Sequence, residues 1–414
     1  MDKPRIHMTR NGIVVVAEEE PSSLTVVIVV CLRAGSIYAP KPGLAHFLEH
    51  VVFDGSVSYP SQGALRNLFK NIGARRNGTT SSEWVRYWIQ CLPEHLDSAL
   101  EWLHEVVARP LLNEESVTRE REIISTERRR ADSEASSCLT RLIYQELFRN
   151  HPYSWAVLGE LEDIQSMSRN DVGTFYADAY TINNMVLSVV GPMGSTDRVL
   201  STLDERDYFG ELSIGKLYPY TCPPLEISVT PVFAHFSGIS QALLSVIWPL
   251  FGWSDERWHT AAVLRDIYQE RLYQRLREEL GWVYSVSSGL SCSYEGGSIS
   301  AGSAVRSDRA SQTAVIMIQE LEKLAFHGVT SGEIDVARNG AEMTYATDTV
   351  DVVDHAQGNA YEFLFARSIR GREVNLYRYL AVEAGEVSEI AKMIESQGPP
   401  LIAVVSSDLS EANF

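Results

Sequence analysis

The residues of this chain best equipped for chemistry lie in the stretch 43–56, GLAHFLEHVVFDGS. It sets His46, Glu49 and His50 within two turns of a segment with helical apolar spacing. On a helix His46 and His50 are i and i+4, so both imidazoles leave one face, and Glu49 points to the same side. Two imidazoles and a carboxylate on one face suit a catalytic zinc ion, which takes nitrogen ligands and keeps a water whose proton the carboxylate accepts. By itself H-x-x-E-H is suggestive only, because two unrelated histidines on a surface or core helix also produce it. A third ligand strengthens it. Glu127 follows His50 with 76 residues between them, and Glu120 sits seven residues before Glu127, two turns up the same helical face.

His46-Phe-Leu-Glu-His50 followed by Glu127 at this separation resembles the pitrilysin/insulinase zinc peptidases, the inverzincins. The match is to their short, mitochondrial-processing-peptidase-like bacterial type. The resemblance implies one zinc ion per chain on His46, His50 and Glu127, Glu49 as general base, and Glu120 in a supporting catalytic role. In the second half, 271–285 (RLYQRLREELGWVYS) resembles the family's R-x-x-x-G-x-x-Y region. That implies catalytic and substrate-binding roles for Arg277 and Tyr284, as donors to the scissile carbonyl and the neighbouring backbone, aimed where negative charge develops. A surface helix running into a strand accounts for the same residues structurally. Asn77 matches the Asn of the family's N-A-x-T stretch, with Gly78 in the Ala place and Thr80 in the Thr place. It is a substrate contact by that resemblance, beside an edge strand that would hold a peptide by β-augmentation. Asn-Gly is also ordinary turn chemistry.

The elements that must position these residues follow from the patterning. Asn11-Gly12 opens a turn before a strand at 13–17, and 24–32 is its partner. A helix over 61–72 is ended by Gly73, 74–80 is polar and turn-rich, and 83–92 alternates as a strand. Leu96, Leu100, Leu103 and Val107 stripe a helix over 96–108. A second helix starts at Asn113, an N-cap before Glu114 and Glu115, and runs through Glu120 and Glu127 towards Asp132. A helix at 137–148 and a strand at 183–190 complete this half. Strands and helices are interspersed at hairpin-type spacing, which favours α+β over a doubly wound parallel sheet.

Gly210, Gly215, Pro219, Pro223 and Pro224 mark 207–225 as a linker. Beyond it, 330–339 (TSGEIDVARN) echoes 113–123 (NEESVTREREI), and sheet-forming runs recur at 241–249 and 283–291. The expectation is two homologous α+β domains, each an antiparallel-rich sheet packed with helices. Residues 1–206 would bind zinc, and 226–414 would lack metal and contribute the Arg/Tyr pair. The glycine-rich 296–302 lacks P-loop spacing and reads as strand and turn.

The composition, 45% hydrophobic and 22% charged over 414 residues, is that of a globular protein of two or three domains. A net charge of −18 argues against a nucleic-acid partner; it reads as a solubilising surface, or as an acidic chamber favouring basic peptides. Five scattered cysteines without C-x-x-C spacing read as free thiols of a reducing compartment. The N-terminal stretch lacks signal or transit character, and the longest apolar run, 24–32, is too short to cross a bilayer. The expected location is cytoplasmic, with no membrane partner. Thirty Arg against six Lys point to a GC-rich bacterial genome.

The expected function is that of a zinc metalloendopeptidase. It would hydrolyse peptides or unfolded and leader segments in a clam-shell chamber formed on homodimerisation. The alternatives are the catalytic half of a heterodimer with an inactive homologue, and a non-catalytic assembly subunit.

Overall fold

A computed structural model describes residues 4–219, 231–294, 296–347 and 351–408. In the first half the strands are β1 (Arg5–Met8), β2 (Val14–Glu19), β3 (Val26–Leu32), β4 (Arg75–Thr80), β5 (Val85–Cys91) and β6 (Met185–Gly191). They form one mixed sheet in the order β1-β2-β6-β3-β5-β4, with β2 and β6 parallel and the other neighbours antiparallel. β3 and β6 are buried at every position and apolar throughout except Ser188, as strands covered on both faces are. β5 alternates strictly between buried and half-buried residues.

The helices of this half that bear on the site are α1 (Leu44–Val51), α2 (Gln62–Lys70), α3 (Leu96–Ala108), α4 (Glu114–Asp132) and α5 (Ala135–Leu147). Phe47 and Leu48 of α1 and Trp102 and Leu103 of α3 join the inner face of the sheet in one core.

The second sheet contains β7 (Val232–His235), β8 (Ala242–Phe251), β9 (Val286–Cys292), β10 (Gly296–Val305) and β11 (Leu401–Ser406). Its order, β7-β11-β8-β10-β9, repeats β2-β6-β3-β5-β4 down to the parallel pair, here β7 and β11. A second core joins Leu244, Val246 and Trp248 to Leu264, Tyr268, Leu321 and Ile390. These are two α+β domains with one topology.

The chain forms two compact units, and their bounds depart from the expected halves. One comprises Met1–Arg129, Trp155–Tyr220 and Thr349–Gly371; the other comprises Arg130–Ser154, Thr221–Asp348 and Arg372–Phe414. Each sheet is thus covered by a helix from the other half of the sequence. On the first sheet, Glu18 receives Asn359 Nδ2 at 2.7 Å and pairs with His355 Nε2 at 2.9 Å, both from the helix Val352–Ala366. On the second, Leu147 of α5 packs with Ile247 and Leu401.

Two local expectations change. The 74–80 stretch is edge strand β4, with Asn77 opposite Trp88 and Gly78 opposite Tyr87. Its polar, Asn-Gly sequence suits a turn locally, but pairing along β5 overrides that preference. Of the expected linker, Tyr208, Phe209 and Leu212 belong to the first core, with Tyr208 and Phe209 set edge-on to His104; residues 220–225 lie outside those described. Glycine and proline mark turns there, while the aromatics between them anchor the chain. Cys31, Cys91 and Cys138 are free thiols. Among the described residues no helix is long and apolar enough to cross a membrane.

Candidate metal centre

α1 begins at Gly43, whose φ of +79° lies in the left-handed region. A side chain there would also meet Leu158 O at 2.7 Å, so glycine is required twice over. From that start Leu44, Ala45, Phe47, Leu48 and Val51 face the core, and His46, Glu49 and His50 share the remaining face. α4 is capped as its sequence predicts: Asn113 Oδ1 accepts from Ser116 N at 2.8 Å. Val117, Glu120, Ile124 and Arg128 form its buried stripe, which carries Glu120 inward.

The two helices bring the predicted ligand atoms together. Glu127 Oε2 lies 3.5 Å from His50 Nε2 and 3.8 Å from His46 Nε2, and the imidazole centroids are 4.6 Å apart. A tetrahedral zinc ion with bonds near 2 Å needs ligand atoms about 3.4 Å apart, so this donor set fits one. Among the described residues, His46, Glu49 and His50 also form a group of three whose ligand-type atoms all lie within 4.8 Å of one another. Glu120 Oε2 stands 3.0 Å from His50 Nδ1, the usual arrangement that fixes the tautomer and ring of a metal-binding histidine. His46 Nδ1, by contrast, is buried without a hydrogen-bond partner.

The site's electrostatics divide its members. Burial, helped by the neighbouring His50 charge and opposed by Glu127, pulls His46 down to about 4, leaving a neutral ring with a lone pair to offer. Burial alone would also lower His50, but the hydrogen bonds to Glu120 and Glu127 and the charge of Glu49 outweigh it and hold it at about 10. Burial raises Glu49 to about 7; the Glu127 charge adds to this, while His50, Thr80 and Arg76 oppose it. A carboxyl poised near neutrality both takes and gives a proton readily.

β4 closes one side of the site. An added Cβ on Gly78 would lie 2.3 Å from Glu49 Oε1 and 2.7 Å from a Phe53 ring carbon, so glycine is what lets β4 approach this closely. Thr80 Oγ1 is 3.5 Å from Glu49 Oε2. Asn77 is exposed, and strand alternation turns its side chain to the face opposite Gly78.

Arg277 and Tyr284 belong to the second unit, where the structure brings them together. The Arg277 guanidinium carbon is 5.1 Å from the Tyr284 ring centroid, its Nη1 donates to Val283 O at 3.2 Å, and Tyr284 is 82% exposed.

Sequence reasoning missed a pair behind Glu120. Arg119 Nη2 lies 2.5 Å from Asp54 Oδ2 and its Nε 3.9 Å from Glu120 Oε1. Burial and the Glu120 charge raise Asp54 to about 6 against the pull of Arg119. No spacing rule links positions 54 and 119, so only the fold reveals them.

Comparison with known proteins places the chain. Residues 14–160 match Insulinase (Peptidase family M16), and residues 166–341 match the Peptidase M16 inactive domain. A probable mitochondrial-processing peptidase subunit beta of Schizosaccharomyces pombe is 31% identical over 49% of this chain and 44% of its own length. The chain thus spans about half the length of the mitochondrial relatives it matches. The uncharacterized zinc protease YmxG of Bacillus subtilis is 25% identical over 79% of this chain and 80% of its own. Among solved structures, a peptidase M16 inactive domain from Pseudomonas fluorescens shares the fold with a TM-score of 0.88 at 18% identity, over 98% of both chains. Pitrilysin shares it at 0.80 and 19% identity, over 98% of this chain and 45% of that one. The chain belongs to the insulinase family of peptidases, Peptidase family M16.

Proposed function

We propose that this chain is a zinc-dependent endopeptidase acting on peptides and unfolded or leader segments. The observation that carries the reading is the approach of two imidazole Nε2 atoms to one carboxylate oxygen at 3.5 and 3.8 Å, beside the buried Glu49. His46, His50 and Glu127 would hold the zinc ion, which when bound polarises the scissile carbonyl and makes water acidic enough to ionise near neutral pH. Glu49 accepts the proton of the attacking water and delivers it to the leaving amine. Thr80 and the bare Gly78 backbone hold that carboxylate against β4. Glu120 orients His50 through Nδ1. The substrate would lie along the edge of β4, with Asn77 beside it. Arg277 and Tyr284 would donate to the carbonyl oxygen and the neighbouring backbone.

Two chains would enclose a chamber that admits flexible substrates. A heterodimer with an inactive homologue is the second reading, favoured by relatives that are named as subunits. A scaffold without activity is disfavoured, since it has no use for this donor set. Digestion of a mixed peptide library by the protein alone, beside Glu49→Gln, tests the reading. The expected result is cleavage by the parent and its loss in the variant, with about one zinc per chain in both. Full activity in Glu49→Gln would sink the mechanism.

A further inference from the structure

Arg76 of β4 is a half-buried cation that no described acid meets in a direct ion pair. Its guanidinium carbon lies 4.8 Å from the Phe53 ring centroid and 4.9 Å from that of Phe69. Neither an ion pair nor a hydrogen bond joins it to a described side chain or carbonyl. Burial disfavours its charged form and the nearby Glu49 supports it. A planar set of five donors, held flat by two rings and not used by a neighbour, is a ready receptor for a carboxylate.

Its position says which carboxylate. Arg76, Gly78 and Thr80 alternate on one face of β4, and the last two are the residues that meet Glu49. Phe53 lies against Gly78 and under Arg76, so the guanidinium and the Glu49 carboxylate flank the same ring. β4 is an edge strand, with no strand among the described residues paired on its outer side. A peptide added there faces Gly78 with one side chain, and its next side chain on that face lies two residues along, about 7 Å away, at Arg76.

We propose that Arg76 selects peptides carrying an aspartate or glutamate two residues along the bound strand from the residue facing Glu49. The proposal rests on the peptidase reading and names its substrate class. Arg76 and Glu49 also support each other's charge through space, but no hydrogen bond or ion pair joins them, so the guanidinium's donors stay open to a ligand. The chain's net charge of −18 works the other way at long range, so the preference is local and belongs to one position of the substrate.

The test is binding, read by fluorescence anisotropy with zinc-loaded Glu49→Gln protein and a scanned peptide set. One aspartate is moved along an otherwise constant sequence, which keeps the net charge fixed. The expected result is one position at which aspartate tightens Kd about ten-fold, the scale of one charge-assisted hydrogen bond. That peak disappears when Arg76→Met is added, which keeps an unbranched stem between the rings, and with Arg76→Glu a scanned lysine takes its place. Matching thermal melts confirm that each variant is folded. A flat scan, or a scan unchanged in Arg76→Met, overturns the proposal. Wild-type cleavage of the same peptides separates the two claims. Cleavage without the acidic preference overturns the Arg76 assignment alone, whereas peptides neither bound nor cut overturn the peptidase reading with it.

Discussion

Glu120 does for His50 what no described residue does for His46. It sits 5% exposed, 3.0 Å from Nδ1, with Arg119 and Asp54 behind it. Replacing it with alanine frees the His50 ring to turn and removes the negative charge that favours a cation nearby. Glu120→Ala is expected to weaken zinc binding by about 10–100-fold, measured by competition with a chromogenic chelator. Melting of the metal-free protein, followed separately, reports any loss of packing. An unchanged zinc affinity would make Glu120 a purely structural residue. At this scale the sequence was legible wherever the chemistry is local. The i, i+3 and i+4 spacing within α1 and the seven-residue spacing within α4 are helical facts that a sequence displays. Gly78, Arg76 and Asp54 were silent because their meaning depends on β4 and α4 reaching α1 from far along the chain. Gly78 stands in the Ala place because an added Cβ there would meet Glu49 Oε1.

Elements were legible where caps and periodicity agree. The echo between 113–123 and 330–339 is cap chemistry in both copies: Asn113 caps α4, and Thr330 Oγ1 accepts from Glu333 N at 3.3 Å to open the helix Ser331–Thr347. Glu333 also takes Arg271 Nε at 2.6 Å and Nη2 at 3.1 Å, and accepts from Thr330 N at 2.8 Å. Burial alone would raise its carboxyl, but Arg271 and Thr330 outweigh this and bring it down to about 2 from an ordinary 4.5. Because the folded value lies below the unfolded one, this stabilisation is fully present above about pH 4.5 and fades as the pH falls towards 2. Glu333→Gln is therefore expected to lower the melting temperature by a few degrees at pH 7. The gap from wild type should narrow steadily below pH 4.5 in melts followed by circular dichroism. A gap independent of pH would show that the ion pair contributes nothing and the cap alone matters. The edge strand β4 escapes sequence patterning for the complementary reason. An edge strand that carries Arg76 to the site and leaves Asn77 exposed has no apolar alternation to announce it.

At the scale of the whole molecule, duplication was legible as a repeat of patterns, while the exchange of covering helices between the halves was not. A helix such as Val352–Ala366 declares an apolar face but not which sheet it covers; Glu18, meeting His355 and Asn359, decides that. Only the first unit holds the described histidine pair, and the second carries Arg277 and Tyr284. On the proposed function two chains pair, with Arg277 and Tyr284 serving the metal of their own chain or of the partner, and sedimentation should report twice the chain mass. Mixing two inactive chains tests the arrangement directly. Glu49→Gln lacks the base but keeps its arginine, and Arg277→Ala lacks the arginine but keeps its base. Service across the dimer leaves one intact site in each mixed pair, so random exchange should restore about a quarter of wild-type activity. Service within a chain leaves both sites of every mixed pair defective, and activity stays at the level of the separate variants.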